Sequence, residues 1–469
     1  MDIITRLGEI AGNTNVLTGE DTAPFQRDWM QKHSWRPLAV VRPASTSQVS
    51  AILQLANETG TPVVPVSGNT GLAGGTNGEG ALMLSLERMN DIREIRPDAR
   101  IAIVEAGVVL SRLHDAAGEH GLNFPMTFGA RGSAMIGGML STNAGGSNVV
   151  RYGNTRALCL GLEVVMPDGE VLMLMSELHK DNSGYDLKDL FIGAEGTLGV
   201  ITAAVLKLVP TPRAYATAMV AVPSLTQALV LLNQLQEATG GAVEAFEYMP
   251  GTYIDAHLEK YSDARAPFEA RHDVNVLVEV GATAPRDAVA DDDGSLPIAT
   301  YLEDVLAGLM EENAVLDAVI AKSDAQRTEM WDRREAAAAV MLGKQPRVDT
   351  DIAVPLDKVS TFLDRMKNIL PQVDPGATSI EVSHLGDGNI HYSIVCSQSD
   401  PALMDRITER VEDVVQEMGG SFSAEHGIGI SKKPSMARRK DPVALRVMRQ
   451  IKTALDPNNI MNPGKVLPD

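Results

Sequence analysis

Between residues 36 and 210 short β-branched runs alternate with glycine-dense loops, and beyond Val209-Pro210-Thr211-Pro212 longer helical stretches take over. A change of texture at a double-proline break predicts separately folded units. Strand-like runs in the first part are Leu38–Val41, Pro62–Val66, Ile101–Glu105, Cys159–Val165 and Gly199–Val205. Its clearest helices are Thr46–Thr59, with Thr46 as N-cap, and Leu110–His120. That pattern is an α+β half and not a regular βαβ array. The second part reads as helices at Ser224–Ala238, Leu302–Asn313, Ala325–Leu342, Leu356–Ile369 and Pro401–Met418, between strands such as Asn275–Val280. A second α+β domain with an antiparallel sheet follows. Ala290–Pro297 reads as an acidic, solvated insertion, and the stretch from Leu455 to Lys465 as turn-rich and non-helical. A length of 469 residues fits two or three domains.

Composition narrows the function classes. Hydrophobic content of 44% and charge of 22% are those of a globular protein. No apolar run approaches 18 residues and the first residues lack an apolar core, so neither a membrane span nor a signal peptide is expected. Cys159 and Cys396 cannot make a disulfide framework or a cysteine metal site, which points to a reducing cytoplasm. A net charge of −20 argues against nucleic acid or an anionic membrane as partner. An anionic substrate would therefore need a locally basic pocket.

His384 and His391 frame Leu385-Gly386-Asp387-Gly388-Asn389-Ile390, with strand-like runs on both sides. Asp387-Gly388 favours a two-residue type I′ turn. That turn would pair Gly386 with Asn389, Leu385 with Ile390 and His384 with His391, setting the imidazoles opposite each other on one face. Two histidines seven apart are usually unrelated, so the pair alone leaves a metal site and a plain surface pair both open. Farther on stands Ala424-Glu425-His426-Gly427-Ile428-Gly429. Two His and one Glu form a donor set that leaves a coordination position for substrate.

Three glycine-rich loops mark the first part: Pro65-Val66-Ser67-Gly68-Asn69-Thr70-Gly71-Leu72-Ala73-Gly74-Gly75, Gly137-Gly138-Met139-Leu140-Ser141-Thr142-Asn143-Ala144-Gly145-Gly146, and Gly193-Ala194-Glu195-Gly196-Thr197-Leu198-Gly199. None matches a Walker A loop or the dinucleotide fingerprint. One such loop is more often a tight turn. Three in one domain point to a long, phosphate-bearing cofactor held by backbone amides.

Gly68-Asn69-Thr70-Gly71, Gly129-Ala130-Arg131-Gly132-Ser133, Ile136-Gly137-Gly138, Thr142-Asn143-Ala144-Gly145-Gly146, the run Asp181–Leu187 and Phe191–Gly199 occur in an order and spacing that resemble FAD-linked 2-hydroxy acid dehydrogenases of the vanillyl-alcohol oxidase superfamily. Within it the chain is most similar to the D-2-hydroxyglutarate and D-lactate dehydrogenase group, through to Asn462-Pro463-Gly464-Lys465. The resemblance implies an FAD-binding domain of two α+β subdomains over 1–212, a substrate-binding cap with the metal site over 213–455, and a C-terminal return over 456–469. It implies FAD contacts at Pro65, Ser67, Gly68, Asn69, Thr70, Gly71, Leu72, Gly129, Ser133, Gly137, Gly138, Thr142, Asn143, Gly145, Glu195, Gly196, Gly199, Ile201 and Asn462. The resemblance sets the 65–75 loop on the pyrophosphate, and that loop carries no His, so the flavin is expected to be non-covalent.

The resemblance also implies a divalent metal, zinc or a similar ion, on His384, His391 and Glu425. It makes His426 the general base and Arg334 the holder of the substrate carboxylate. Three departures touch the substrate tail. In the hydroxyglutarate enzymes a Thr and a Lys, four and fifteen residues after that Arg, help bind the distal carboxylate; here those positions are Ala338 and Asp349. An Asn two residues after the second His is replaced by Ser393. The expected function is oxidation of a D-2-hydroxy acid by hydride transfer to flavin N5. Electrons would pass to a carrier protein or quinone, since no NAD fingerprint is present, and a homodimer is compatible. The rivals are a hydrolase using the His2Glu metal and a non-catalytic flavin-binding protein of the same fold.

Overall fold

The computed structural model describes residues 2–290, 292 and 295–469. The chain folds as two compact units. The first contains residues up to 145, 153–210 and 425–469; the second contains 146–152 and 211–424. The long segment of the second unit starts at Thr211. The return falls at Glu425, ahead of the expected 456, because the helices Lys433–Arg439 and Pro442–Leu455, absent from the sequence reading, belong to the first unit. The reading of Ala290–Pro297 as a solvated insertion lies partly outside the described residues.

In the first unit, a four-stranded sheet runs in the order Val16–Leu17, Ala39–Val41, Leu82–Ser85, Val63–Val66, with the last three strands parallel. The helix Thr46–Thr59 buries Val49, Ile52, Leu53 and Leu55. Its N-cap is Ser45, whose hydroxyl accepts the Gln48 N–H at 3.3 Å, and not Thr46, which is already in the first turn. An antiparallel five-stranded sheet is ordered Ile92–Arg96, Ile101–Glu105, Val200–Lys207, Cys159–Val165, Val171–Leu174. The C-terminal segment adds to the edge of the first sheet: Val63 N–H donates to Ile460 O and Asn462 N–H to Val63 O, both at 2.7 Å.

The second unit is one seven-stranded antiparallel sheet. Its strands in chain order are β1 (Ala214–Ala221), β2 (Val243–Pro250), β3 (Val274–Ala282), β4 (Asp317–Ile320), β5 (Arg347–Ala353), β6 (Thr378–His384) and β7 (Asn389–Val395). They are ordered β4-β1-β3-β2-β6-β7-β5. Side chains alternate between the faces. One face buries Ala216, Val220, Phe246, Tyr248, Val278, Val348, Ile352, Tyr392 and Ile394, under the helices Leu225–Thr239, Pro297–Glu311, Val359–Val373 and Pro401–Glu417. The other face is only partly apolar, with Met219, Met249, Leu277 and Val382 against the helices Gly251–Lys260 and Asp324–Glu335. The helix expected over 325–342 breaks in two, at Glu335 and Ala337. Among the described residues no helix is long and apolar enough to cross a membrane.

Candidate active site

The half-apolar face of the second unit carries a row of buried charge. The register pairs Glu247 of β2 with His384 of β6, Asn389 of β7 with Ala353 of β5, and His391 of β7 with Asp351 of β5. All of these side chains therefore point to one side. The Asp324–Glu335 helix lies on that side, and its i, i+4, i+7 stripe is Arg327, Trp331 and Arg334. Arg327 grips the Glu279 carboxylate in bidentate fashion, at 2.7 and 2.6 Å, and Trp331 Nε1 donates to it at 2.9 Å. This fixes the helix, and with it Arg334.

Glu247, which sequence reading missed, is the hub. It is 1% exposed. One oxygen accepts Arg334 Nε at 2.8 Å and the other lies 2.8 Å from His384 Nδ1. Burial pushes its carboxyl up, but His384 and Arg334 outweigh that and hold it below the usual carboxylate range. With Nδ1 committed to Glu247, metal ligation by His384 would fall to Nε2. Arg334 is itself buried, and its Nη2 has no hydrogen-bond partner among the described residues. A buried guanidinium with an unsatisfied donor on a polar face is the feature expected of an anion-binding group.

The hairpin forms, with a register different from the expected one. His384 pairs with Asn389 and Val382 with His391. A type I′ turn needs φ above zero at two residues, and here Gly388 adopts it while Asp387 does not. Instead the Asp387 side chain accepts the Asn389 N–H at 3.0 Å, which lengthens the loop to four residues, Leu385–Gly388. The two histidines become diagonal neighbours on the same face, with ring centroids 5.3 Å apart. Asn389 Nδ2 donates to Asp351 Oδ1 at 2.9 Å and holds that buried carboxylate beside His391. Asp351, too, was not among the expected site residues. At the tail positions Ser393 donates to Asp349 at 2.9 Å, and Arg347 Nε lies 2.6 Å from the same oxygen at an angle that makes an ion pair and no hydrogen bond. Asp349 is thus partly neutralised.

Beyond β7 the chain runs back along β5. Ser421 and Ala353 exchange backbone hydrogen bonds at 2.8 and 2.9 Å, and the Ala424 N–H donates to Asp351 O at 3.2 Å. Glu425 and His426 come next in sequence and open the last segment of the first unit, with His426 Nε2 3.3 Å from Glu425 Oε1.

Within the first unit the glycine-rich segments converge. Gly68 leaves no room for a side chain against the Ser133 carbonyl, and a Cβ at Gly138 would stand 3.4 Å from that of Ser67. Gly196 packs on Pro65, and the Glu195 N–H donates to Ser141 O at 2.8 Å. Asn462 Nδ2 ties two of these segments together through Gly75 O at 3.0 Å and Glu195 O at 2.7 Å. The second loop is in fact a short helix, Ile136–Thr142, because Ser141 and Thr142 turn their hydroxyls back onto Gly137 O and Gly138 O. Asn143 ends it in the left-handed conformation and caps the Arg156 N–H. Asn69 spends its amide on Arg27 O and its carbonyl on Thr76. Gly199 packs against Val164, Val165 and Phe191, and Ile201 lies in the Val200–Lys207 strand.

These residues fit a long cofactor. At Gly71, Gly129 and Gly132 an added Cβ would meet no protein atom within 4 Å, so these backbones border open space. The buried Asn462 Oδ1 has no partner among the described residues and waits for a donor.

Comparison with known proteins agrees. Residues 37–174 match the FAD binding domain family, and residues 211–466 match the C-terminal domain of FAD linked oxidases. The structure of p-cresol methylhydroxylase with substrate bound superposes with a TM-score of 0.74 at 17% identity, over 99% of this chain and 96% of that one. The fold is that of the vanillyl-alcohol oxidase type, and the chain belongs to the FAD-linked oxidases. Its relatives are more particular. A D-2-hydroxyglutarate dehydrogenase of Xanthomonas citri pv. viticola is 36% identical, over 95% of this chain and 92% of its own length. One of Stutzerimonas stutzeri is 33% identical, over 99% and 98%.

Proposed function

We propose that this chain is an FAD-dependent dehydrogenase that oxidises a D-2-hydroxy acid, of the D-lactate or D-2-hydroxyglutarate type, to the 2-oxo acid. The observation that carries the reading is the buried Arg334, whose unpartnered Nη2 shares a face with His384 and His391. The names of its relatives favour D-2-hydroxyglutarate. A second carboxylate is compatible with Asp349 because Arg347 and Ser393 already engage that side chain.

Oxidation removes the hydroxyl proton and the hydride on C2. FAD, bound non-covalently along the glycine-rich segments, supplies the acceptor for the hydride at N5. Arg334 binds the substrate carboxylate, and Glu247 orients Arg334 and His384 together. His426 takes the proton from the hydroxyl. His384, His391 and Glu425 would hold a divalent ion, zinc or a similar one, which supplies acidity to that hydroxyl. Asp351, buried beside His391 across the β5–β7 pairing, is a further carboxylate of the kind such an ion takes. Electrons then pass to a carrier protein or quinone. Two buried free thiols, Cys159 and Cys396, agree with a reducing compartment such as the cytoplasm.

Metal analysis tests the site. His391→Ala is expected to lose bound divalent metal and substrate-driven flavin reduction while keeping FAD, because the flavin residues belong to the other unit. Full metal content in the variant would reject His391 as a ligand, and loss of FAD would reject the assignment of His391 and the flavin residues to separate units.

A further inference from the structure

Glu195 stands out in the first unit because its backbone is strained and its carboxylate, beside Gly75, is taken up by the backbone amides of Ile428 and Gly429. Its φ is +51°, a left-handed conformation that is unfavourable for a non-glycine residue. The strain is held in place by backbone bonds to Ser141 O and from Asn462 Nδ2. A glycine, as at Gly193 and Gly196 on either side, would adopt this conformation freely. What glycine cannot supply is the carboxylate. One oxygen accepts the Ile428 N–H at 2.6 Å and the other the Gly429 N–H at 2.8 Å. Consecutive amides converge on it because Gly427 and Gly429 both have positive φ, +74° and +50°, which curls the backbone into an anion-binding nest. Gly427 must lack a side chain, since a Cβ there would lie 2.8 Å from Glu195 Oε1. The same segment is also fixed through its backbone, with Ile430 N–H donating to Ala73 O at 3.0 Å and Val466 N–H to Gly429 O at 3.1 Å.

We infer that Glu195 is a positioning residue for Glu425 and His426, anchoring the segment they open through the 427–429 nest and not by contacting the cofactor. This rests on the reading of His426 as base and Glu425 as ligand.

Two variants of the FAD-loaded protein test it. Glu195→Gln keeps the size but turns one amide acceptor into a donor. Glu195→Gly removes the carboxylate while relieving the strained φ, so a purely structural role predicts no loss. Both are expected to keep FAD at the wild-type ratio. Amide exchange in a peptide covering 425–430 should accelerate roughly 10- to 100-fold, the range for losing hydrogen bonds to a charged acceptor. The kcat for flavin-coupled oxidation of D-2-hydroxyglutarate should fall by a similar factor with KM nearly unchanged, because Arg334 is untouched. Unchanged exchange would overturn the inference, as would loss of FAD from both variants, which would make Glu195 part of the cofactor cradle. Unchanged kcat with faster exchange would overturn the link to His426. If the wild-type flavin is not reduced by any D-2-hydroxy acid, the functional reading fails, and exchange alone decides whether Glu195 anchors the segment.

Discussion

Glu247→Ala is expected to destabilise the protein by about 3–5 kcal/mol, the range for breaking a buried ion pair by removing one partner. The loss is large because one carboxylate serves two cationic groups. Its removal strands the Arg334 guanidinium, 7% exposed, and frees the His384 ring to rotate. Glu247→Gln, which keeps the shape and one acceptor, should lose less. The sign with pH follows from the depressed carboxyl. Its contribution is complete above the ordinary glutamate range and is lost as pH falls through the folded value, so the wild type should lose its advantage over Glu247→Gln in acid. Urea unfolding at pH 7 and in acid measures both. An alanine variant within 1 kcal/mol of wild type at pH 7 would mean that the hub carries no net stabilisation.

Arg334→Met should have the largest effect on catalysis that leaves the cofactor in place. Truncating one partner of a buried charge pair costs about 2–4 kcal/mol, which is roughly 30- to 1000-fold in kcat/KM. Arg334→Lys should recover little of this, since an ammonium cannot keep Nε on Glu247 and present a second donor in the same plane. Steady-state kinetics on D-2-hydroxyglutarate, with FAD content measured in parallel, separates lost substrate binding from a lost cofactor. A change of less than threefold would remove Arg334 from the site.

The sequence made the antiparallel second unit legible because period-two patterning survives in strands such as β3 and β7, and helix caps such as Ser224 are local signals. The hairpin shows the limit of local signals. Asp387-Gly388 marks the turn, but the Asp387 side chain satisfied the Asn389 amide and the register moved by two residues. The histidines stayed on one face because the slip displaced His391 by two residues relative to its expected partner, which preserves alternation. Glu247 carried no local signal at all. Its role depends on β2 pairing with β6 and on a helix docked across the sheet, contacts 137 and 87 residues apart in sequence. Asp351 was hidden in the same way, two strands from the hairpin's first histidine. The Pro442–Leu455 helix carried local signals that the sequence reading passed over, a cap at Asp441 and Leu445, Met448, Ile451 and Leu455 at helical spacing. The glycine-rich loops were legible as a cofactor site through their order; that one of them is helical was not, since two glycines in seven residues argue against a helix.

The most direct measurement is anaerobic titration of the purified, FAD-loaded protein with D-2-hydroxyglutarate and D-lactate while the flavin absorbance is followed. Bleaching of the oxidised flavin band by a D-2-hydroxy acid, absent with the L-enantiomer and abolished by a chelator, is the predicted result. A flavin that stays oxidised across a panel of D-2-hydroxy acids, with metal and FAD both bound, would contradict it.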